Sequence, residues 1–214
     1  MSTDRLRAEL QQIAEGAEWH ARNYVLDYEP DQMDLELALA DFMAVYCQTG
    51  SLLTADWYNS LDSDTPHYFA TPEFVVPPQR AADTAAWVFK GRKSDTPSLA
   101  RRVGAAAYTM VFDAARDTVA ANSVREEVAF VREEEPDACD DCIGRATLTP
   151  RTRNSSTGDV TWERHQRCEF LFVPVRKDVW TPPAHASSWQ ERILATRLAQ
   201  NANADDIAKL RAAH

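Results

Sequence analysis

Residues 98–122 read "SLARRVGAAAYTMVFDAARDTVAAN", the longest helical pattern in the chain. Side chains suited to a buried helix face recur at helical spacing, at Val103, Ala107, Met110, Val111, Ala114, Thr118 and Ala121. The many alanines allow a neighbouring helix to come close. The pattern therefore predicts a packed helix, capped at its start by Ser98 or Thr96.

Four shorter helices are predicted before this one, over residues 3–26, 31–48, 52–62 and 79–90. We expect Ser2 or Thr3 to cap the first of them and Pro30 to end it. Gly50 suits the position just past a helix C-terminus, so it is expected to separate the second helix from the third. Residues 63–78 contain four prolines, which exclude a helix and predict an ordered loop.

The pattern changes at residue 127, where "EVAFVRE" (127–133) alternates and predicts a strand. A second strand is predicted at "CEFLFVPVR" (168–176), with a weaker hairpin between the two, and a helix at 187–200. The fold class expected is α+β, with an N-terminal helical bundle, a small zinc-ribbon-like β module and a C-terminal helix. The corresponding domains are 1–122, 123–180 and a helical tail at 181–214.

Composition narrows the classes of function. The chain has 214 residues and a formal net charge of −10, so phosphate would repel it and strong direct nucleic-acid binding is not expected. The sequence has no apolar run long enough to cross a membrane, and its N-terminus is too charged for a signal peptide. Reduced cysteines, as in a cytosol, favour metal binding over disulfides.

Two short runs concentrate cysteine and histidine: "ACDDCIGR" (138–145) and "WERHQRCEF" (162–170). They form C-x2-C, then 22 residues, then H-x2-C. Each pair suits one side of a tetrahedral zinc ion, and a hairpin between two strands is a natural connector. We therefore predict one structural zinc ion, coordinatively closed and held by Cys139, Cys142, His165 and Cys168.

Three alternative explanations of these residues fit the sequence less well. Ordinary core residues are disfavoured because both pairs sit in polar, charged sequence, and a redox pair because no βαβ pattern surrounds it. A protease pair, with Cys139 or Cys142 as nucleophile and His165 as base, leaves two cysteines unexplained. The fourth cysteine of the chain, Cys47, is expected to be a small buried residue.

Four stretches carry a resemblance to a known family: "LTADWYNSLD" (53–62), "AADTAAWVFKG" (81–91), "YTMVFDAARDTVAANS" (108–123) and "EEEPDACDDC…WERHQRCEFLFVPV" (133–175). Together they resemble the Mu F-like minor head proteins of tailed phages that infect actinobacteria, often labelled capsid maturation proteases. The resemblance spans about residues 50–176. This chain has Phe170 where the family usually has a further cysteine, which leaves the four residues named above as ligands.

The resemblance implies a phage minor capsid (head morphogenesis) protein, placed in the virion head near the portal after folding in the host cytoplasm. Its partners would be other head proteins: portal, major capsid or scaffold. The alternative is a capsid maturation protease. No clear catalytic set supports it, since Ser155 and Ser156 suit a turn, and His67 and His20 suit packing or the surface.

Three aromatic residues of the predicted helices could lie either at a protein–protein interface or in the hydrophobic core. Trp57, Tyr58 and Trp87 are expected either to anchor an interface from the surface or to fill the core.

Overall fold

The computed structural model describes residues 1–61, 68–73, 78–90, 95–135, 138 and 169–176. In these residues the chain forms four helices and two strands: α1 (Thr3–Tyr28), α2 (Gln32–Ser60), α3 (Pro78–Phe89), α4 (Thr96–Arg125), β1 (Ala129–Glu133) and β2 (Leu171–Val175). The largely helical N-terminal part and the two principal strands are confirmed. The weaker hairpin and the helix at 187–200 lie outside the described residues.

Side-chain caps fix where the helices begin. Ser2 accepts a hydrogen bond from the backbone N–H of Arg5 at 3.3 Å, as predicted for the start of α1. The predicted cap of α4 is wrong, because Asp95 takes that role and accepts from the N–H of Ser98 at 2.8 Å. Thr96 instead opens the first turn of the helix, followed by a proline, which that turn tolerates because its N–H groups have no helical partner.

The predicted helix boundary at Gly50 is also wrong, because α2 runs through it without a break. A Cβ atom added at Gly50 would lie 3.3 Å from Val111 of α4 and 3.4 Å from Leu10 of α1. Glycine is therefore present because two helices approach α2 there, and it does not end the helix. Thr54 reinforces this turn by donating its hydroxyl to the Gly50 carbonyl at 2.7 Å.

The described part of the proline-rich loop, residues 68–73, is fastened to two helices by side-chain amides. Asn59 of α2 accepts from the N–H of Ala70 at 2.7 Å. Asn122 of α4 accepts from the N–H of Thr71 at 3.0 Å and donates to its carbonyl at 2.7 Å. Because these bonds satisfy its backbone, the segment crosses the helices as the predicted ordered loop.

The two strands pair antiparallel, with Ala129 opposite Val175 and Glu133 opposite Leu171. Both pack on α4, and Phe130 and Phe172 meet with ring centres 4.8 Å apart. These rings belong to the same hydrophobic core that α1, α2 and α4 enclose. A two-stranded sheet is marginal alone, so this packing on the helices stabilises it. No helix among the described residues has the length and apolar character needed to span a membrane.

We predict that Gly50→Val destabilises the protein by about 1–3 kcal/mol, because the larger side chain must displace Val111 or Leu10. Urea unfolding followed by circular dichroism measures this. Ala44→Val is the matched control, since Ala44 is exposed on the same helix and only the helix propensity changes, by a few tenths of a kcal/mol. Equal effects of the two substitutions would contradict a packing role for Gly50.

Candidate functional site

The four predicted zinc ligands, Cys139, Cys142, His165 and Cys168, lie outside the described residues, so the metal site stays a prediction. The described flanks show where that stretch leaves and rejoins the sheet. The last residue of β1 pairs with the first residue of β2, at the Glu133–Leu171 position. The pairing therefore brings the sequence flanks of the C-x2-C and H-x2-C motifs to one end of the sheet, an arrangement compatible with one shared ion.

Both flanks are fastened to the helices. Arg7 of α1 lies 3.6 Å from the Glu133 carboxylate and donates to the carbonyl of Glu134 at 3.4 Å. On the returning side, the hydroxyl of Tyr108 in α4 donates to the carboxylate of Glu169. Arg7 and Glu133 are both buried, so their attraction is little screened by water. The ends of the predicted ligand stretch thus have fixed positions relative to α1 and α4.

Phe170 lies between two guanidinium groups. The central carbon of Arg132 is 3.6 Å from the ring centre, and that of Arg116 is 4.0 Å from it. The Phe170 side chain is fully buried. Each cation over an aromatic face contributes about 1–2 kcal/mol when water is excluded. Arg116 also donates to the Phe170 carbonyl at 3.0 Å, which fixes the backbone just before β2.

Asp113 balances the charge of Arg116 one helical turn away. Its carboxylate accepts from Arg116 at 2.5 Å and from Arg80 of α3 at 2.8 Å. Arg80 also lies 3.4 Å from the more exposed Asp117. Asp113 and Arg116 are almost completely buried, and a buried charge without a partner is strongly destabilising. The pair therefore connects α3 and α4 to each other and, through Phe170, to the residue just before β2.

A second buried group holds the other end of β2. Glu126, just past α4, accepts from the Tyr58 hydroxyl at 2.6 Å and from Arg176 at 2.9 Å. Arg176 also donates to the carbonyl of Leu61 at 3.0 Å and lies over the Tyr58 ring. Burial, followed by the hydrogen bond to Glu126, raises the pKa of Tyr58 above its ordinary value. The phenol therefore stays protonated and remains the donor.

Cys47 is buried in α2, as predicted. Its sulfur lies 3.5 Å from the carbonyl oxygen of Met110 in α4, which the thiol can use as an acceptor. Burial raises the pKa of this thiol to about 12. Because the thiolate is the reactive form, Cys47 is a packing residue and not a nucleophile at neutral pH.

The aromatic residues named from the sequence divide between core and surface. Trp57 and Tyr58 are fully buried, so the expectation that they present an interface is wrong and core packing is correct. Trp87 is 50% exposed. His20 is exposed on α1 and stacks on Phe42 of α2, with ring centres 4.7 Å apart. His67, Ser155 and Ser156 lie outside the described residues.

Over the described ranges, no group of three or more His, Cys, Asp or Glu side chains is placed to hold a metal ion. The buried charges there act by joining helices to strands. Sequence reasoning missed this role for Arg116, Arg132 and Glu126. One feature of the sequence could have indicated part of it: Asp113 and Arg116 are spaced i and i+3 within a predicted helix. That spacing predicts an ion pair, but it does not predict that the pair is buried.

A match to a protein-family profile shows that the chain is a phage-encoded protein. It belongs to the VG15 protein family, whose profile matches residues 2–195. That range includes all described helices and strands and the four predicted zinc ligands. Searches of curated proteins and of solved structures gave no match.

We predict that Arg116→Met lowers the free energy of unfolding by about 3 kcal/mol, because it leaves the buried Asp113 with fewer partners and removes the bond to Phe170. Urea titration measures the change. Arg5→Met is the matched control, because Arg5 forms an exposed pair with Glu9 worth less than about 0.5 kcal/mol. Loss of stability no greater than that of Arg5→Met would contradict the role given to Arg116.

We predict that iodoacetamide at pH 8 does not alkylate Cys47 in the native protein and alkylates it readily in urea, because burial suppresses its thiolate. Peptide mass spectrometry after timed labelling reports this residue separately from the other cysteines. The denatured sample serves as the control for intrinsic reactivity. Rapid native labelling would show that the thiol is accessible and that the buried placement is wrong.

Proposed function

We propose that the protein is a Mu F-like minor capsid protein that acts in head morphogenesis and is built into the virion head near the portal. The observation that carries this proposal is membership of a phage protein family over residues 2–195. The four stretches that resemble Mu F-like head proteins lie inside this range. In this proposal the chain folds in the host cytoplasm and then binds portal, major capsid or scaffold protein.

The roles of the resembling residues support a shared fold. Trp57 is fully buried in the core, and Asn59 fastens the loop at Ala70. Asp113 and Arg116 join α4 to its neighbours. These residues act in packing and in joining elements of the fold, so their presence in the resembling stretches supports a structural role for the protein and does not require a reactive centre.

The proposal includes one structural zinc ion held by Cys139, Cys142, His165 and Cys168. Support comes from the ligand spacing and from the antiparallel pairing of Glu133 with Leu171, which brings both motif flanks to one sheet end. Zinc would supply a cross-link between the two sides of the intervening stretch. Three thiolates and one imidazole complete its tetrahedron, so the ion would stabilise the fold and would not bind substrate.

The alternative function is a capsid maturation protease. Cys47 does not support it, because its buried thiol has a pKa raised to about 12 and lies against the Met110 carbonyl. A cysteine protease would therefore need Cys139 or Cys142 with His165 as base. If these residues hold zinc as proposed, they cannot also act as nucleophile and base, because a thiolate that binds zinc is not available to attack a peptide.

We predict that the purified protein contains about one zinc ion per chain and that Cys168→Ser loses it and lowers the melting temperature. Elemental analysis by mass spectrometry and thermal unfolding measure the two effects. Cys47→Ala is the matched control, because it removes a thiol outside the predicted site and should keep the metal. Absence of zinc from the wild type, or its retention in Cys168→Ser, would contradict the proposed ligands.

The place in the virion needs its own experiment. Quantitative mass spectrometry of purified phage particles should detect the protein, and cross-linking of intact heads should connect it to the portal or a neighbouring head protein. Absence from particles would contradict the capsid role. Incubation with the purified capsid precursor tests the alternative: specific cleavage that His165→Ala abolishes, with the fold retained, would favour the protease.

A further inference from the structure

One exposed face of α2 carries apolar side chains together with aspartates. Met33, Leu37, Val45 and Leu52 are 68%, 62%, 63% and 46% exposed. They follow helical spacing with Asp34 and Asp41, so all six lie on one side of the helix. We call this set the α2 stripe. From Met33 to Leu52 it extends about 28 Å along the helix.

The stripe is not needed by the core that the structure describes. The opposite face of α2 carries the buried residues, among them Leu35, Leu39 and Met43. Single exposed apolar side chains are ordinary, but four of them on one face of a single helix, with Asp41 between Leu37 and Val45, form a mixed surface that a partner can cover. Met33, Leu37, Asp41 and Val45 follow an i, i+4 ridge, which runs obliquely to the helix axis, and a second helix can pack along such a ridge.

Charge indicates the chemistry of that helix. The sequence of α2 contains no Lys, Arg or His, and its acidic residues include Asp34 and Asp41 within the stripe. Among the described residues no ion pair engages either of these two carboxylates. A partner with apolar residues on one face and Lys or Arg beside them would match both features.

Other occupants fit less well. A second copy of the chain meeting the stripe symmetrically would bring together two helix faces that carry aspartates and no cationic side chain, and like charges oppose each other across an interface. Nucleic acid and anionic membranes would be repelled by the same carboxylates. The stripe therefore favours a basic amphipathic segment over these alternatives.

We propose that the α2 stripe is the docking surface for a basic amphipathic helix of another protein. That the partner is another phage head protein rests on the proposed function. That the partner helix is basic and amphipathic rests on the α2 stripe alone. Leucine or valine side chains of the partner would cover Leu37 and Val45. Its cationic side chains would pair with Asp34 and Asp41.

The probe is a designed 18-residue peptide of leucine and lysine with helical periodicity, labelled for fluorescence anisotropy and titrated with the full-length chain. A peptide of the same pattern with glutamate in place of lysine, and a leucine–lysine peptide of scrambled order, are the peptide controls. The amphipathic basic peptide should bind, and the other two should bind at least about tenfold more weakly, a difference of about 1.4 kcal/mol.

Two double variants test the location. Leu37→Ser with Val45→Ser should weaken binding about tenfold, whereas Trp87→Ser with Phe69→Ser, which alters exposed apolar residues elsewhere, should not. Asp34→Asn with Asp41→Asn should weaken binding several-fold and reduce its salt dependence. Glu15→Gln with Glu127→Gln changes the net charge equally at exposed sites outside the stripe and should have a smaller effect. Unchanged melting temperatures confirm that each variant is folded.

Several results would overturn the proposal. These are equal binding of the acidic peptide, equal effects of stripe and control variants, or self-association through the stripe in light scattering. Protection of Asp41 from carboxyl labelling in the free protein would also overturn it, because the stripe would then be covered by this chain itself. Absence of the protein from virions would contradict the head-protein role while leaving peptide binding to the stripe intact, so the two failures are distinguishable.

Discussion

The buried guanidinium of Arg116 is the contact on which the described structure most depends. It pairs with Asp113 in its own helix, donates to the Phe170 carbonyl and covers the Phe170 ring. Asp113 in turn holds Arg80 of α3. Because neither buried charge is stable without the other, α3, α4 and the start of β2 are constrained together. The apolar core supplies most of the favourable burial, and this pair fixes the arrangement of the elements around it.

That constraint matters most for the strands. β1 and β2 form a sheet of two short strands, which would be marginal without the helices behind it. Arg116 holds the beginning of β2, and Glu126 with Arg176 holds its end. The two described ends of the segment between the strands are therefore held close together by the rest of the fold. In the proposed zinc module the ion would not have to supply the full entropy of bringing its two motifs together, unlike the ion in an isolated zinc peptide.

The sequence predicted the parts of the fold that local pattern determines. Helical periodicity located most of the helical residues, and both principal strands were predicted, the first of them from its alternation. The prediction that a helix ends at Gly50 failed, because glycine is typical both of the position after a helix and of a close contact between packed helices. The sequence alone does not distinguish these two roles. It left the place of Trp57 open between core and surface, because that depends on the rotation of α2, which two separate predicted helices could not supply.

The buried charges were hidden for a related reason. Asp113 and Arg116 lie at i and i+3 within one helix, and Asp4 and Arg7 have the same spacing. Asp113 is buried, whereas Asp4 is 79% exposed. Spacing thus predicts that two charges can meet, while burial depends on elements distant in sequence. The prediction of the zinc ligands is of a different kind, because it depends on residue type as well as on spacing. The structure describes only the two ends of the segment that contains them.

α2 combines two different constraints in one helix. Its inner face must fit Leu10 and Val111 closely enough that position 50 admits only glycine without displacement of a neighbour. Its outer face meets no such requirement, and polar residues at Leu37 or Val45 would leave the described core unchanged. Packing of the described core therefore does not account for the apolar side chains on that side. The core already holds α2 in place, so a partner that binds the α2 stripe would not have to order the helix first, and the entropy cost of binding would be smaller.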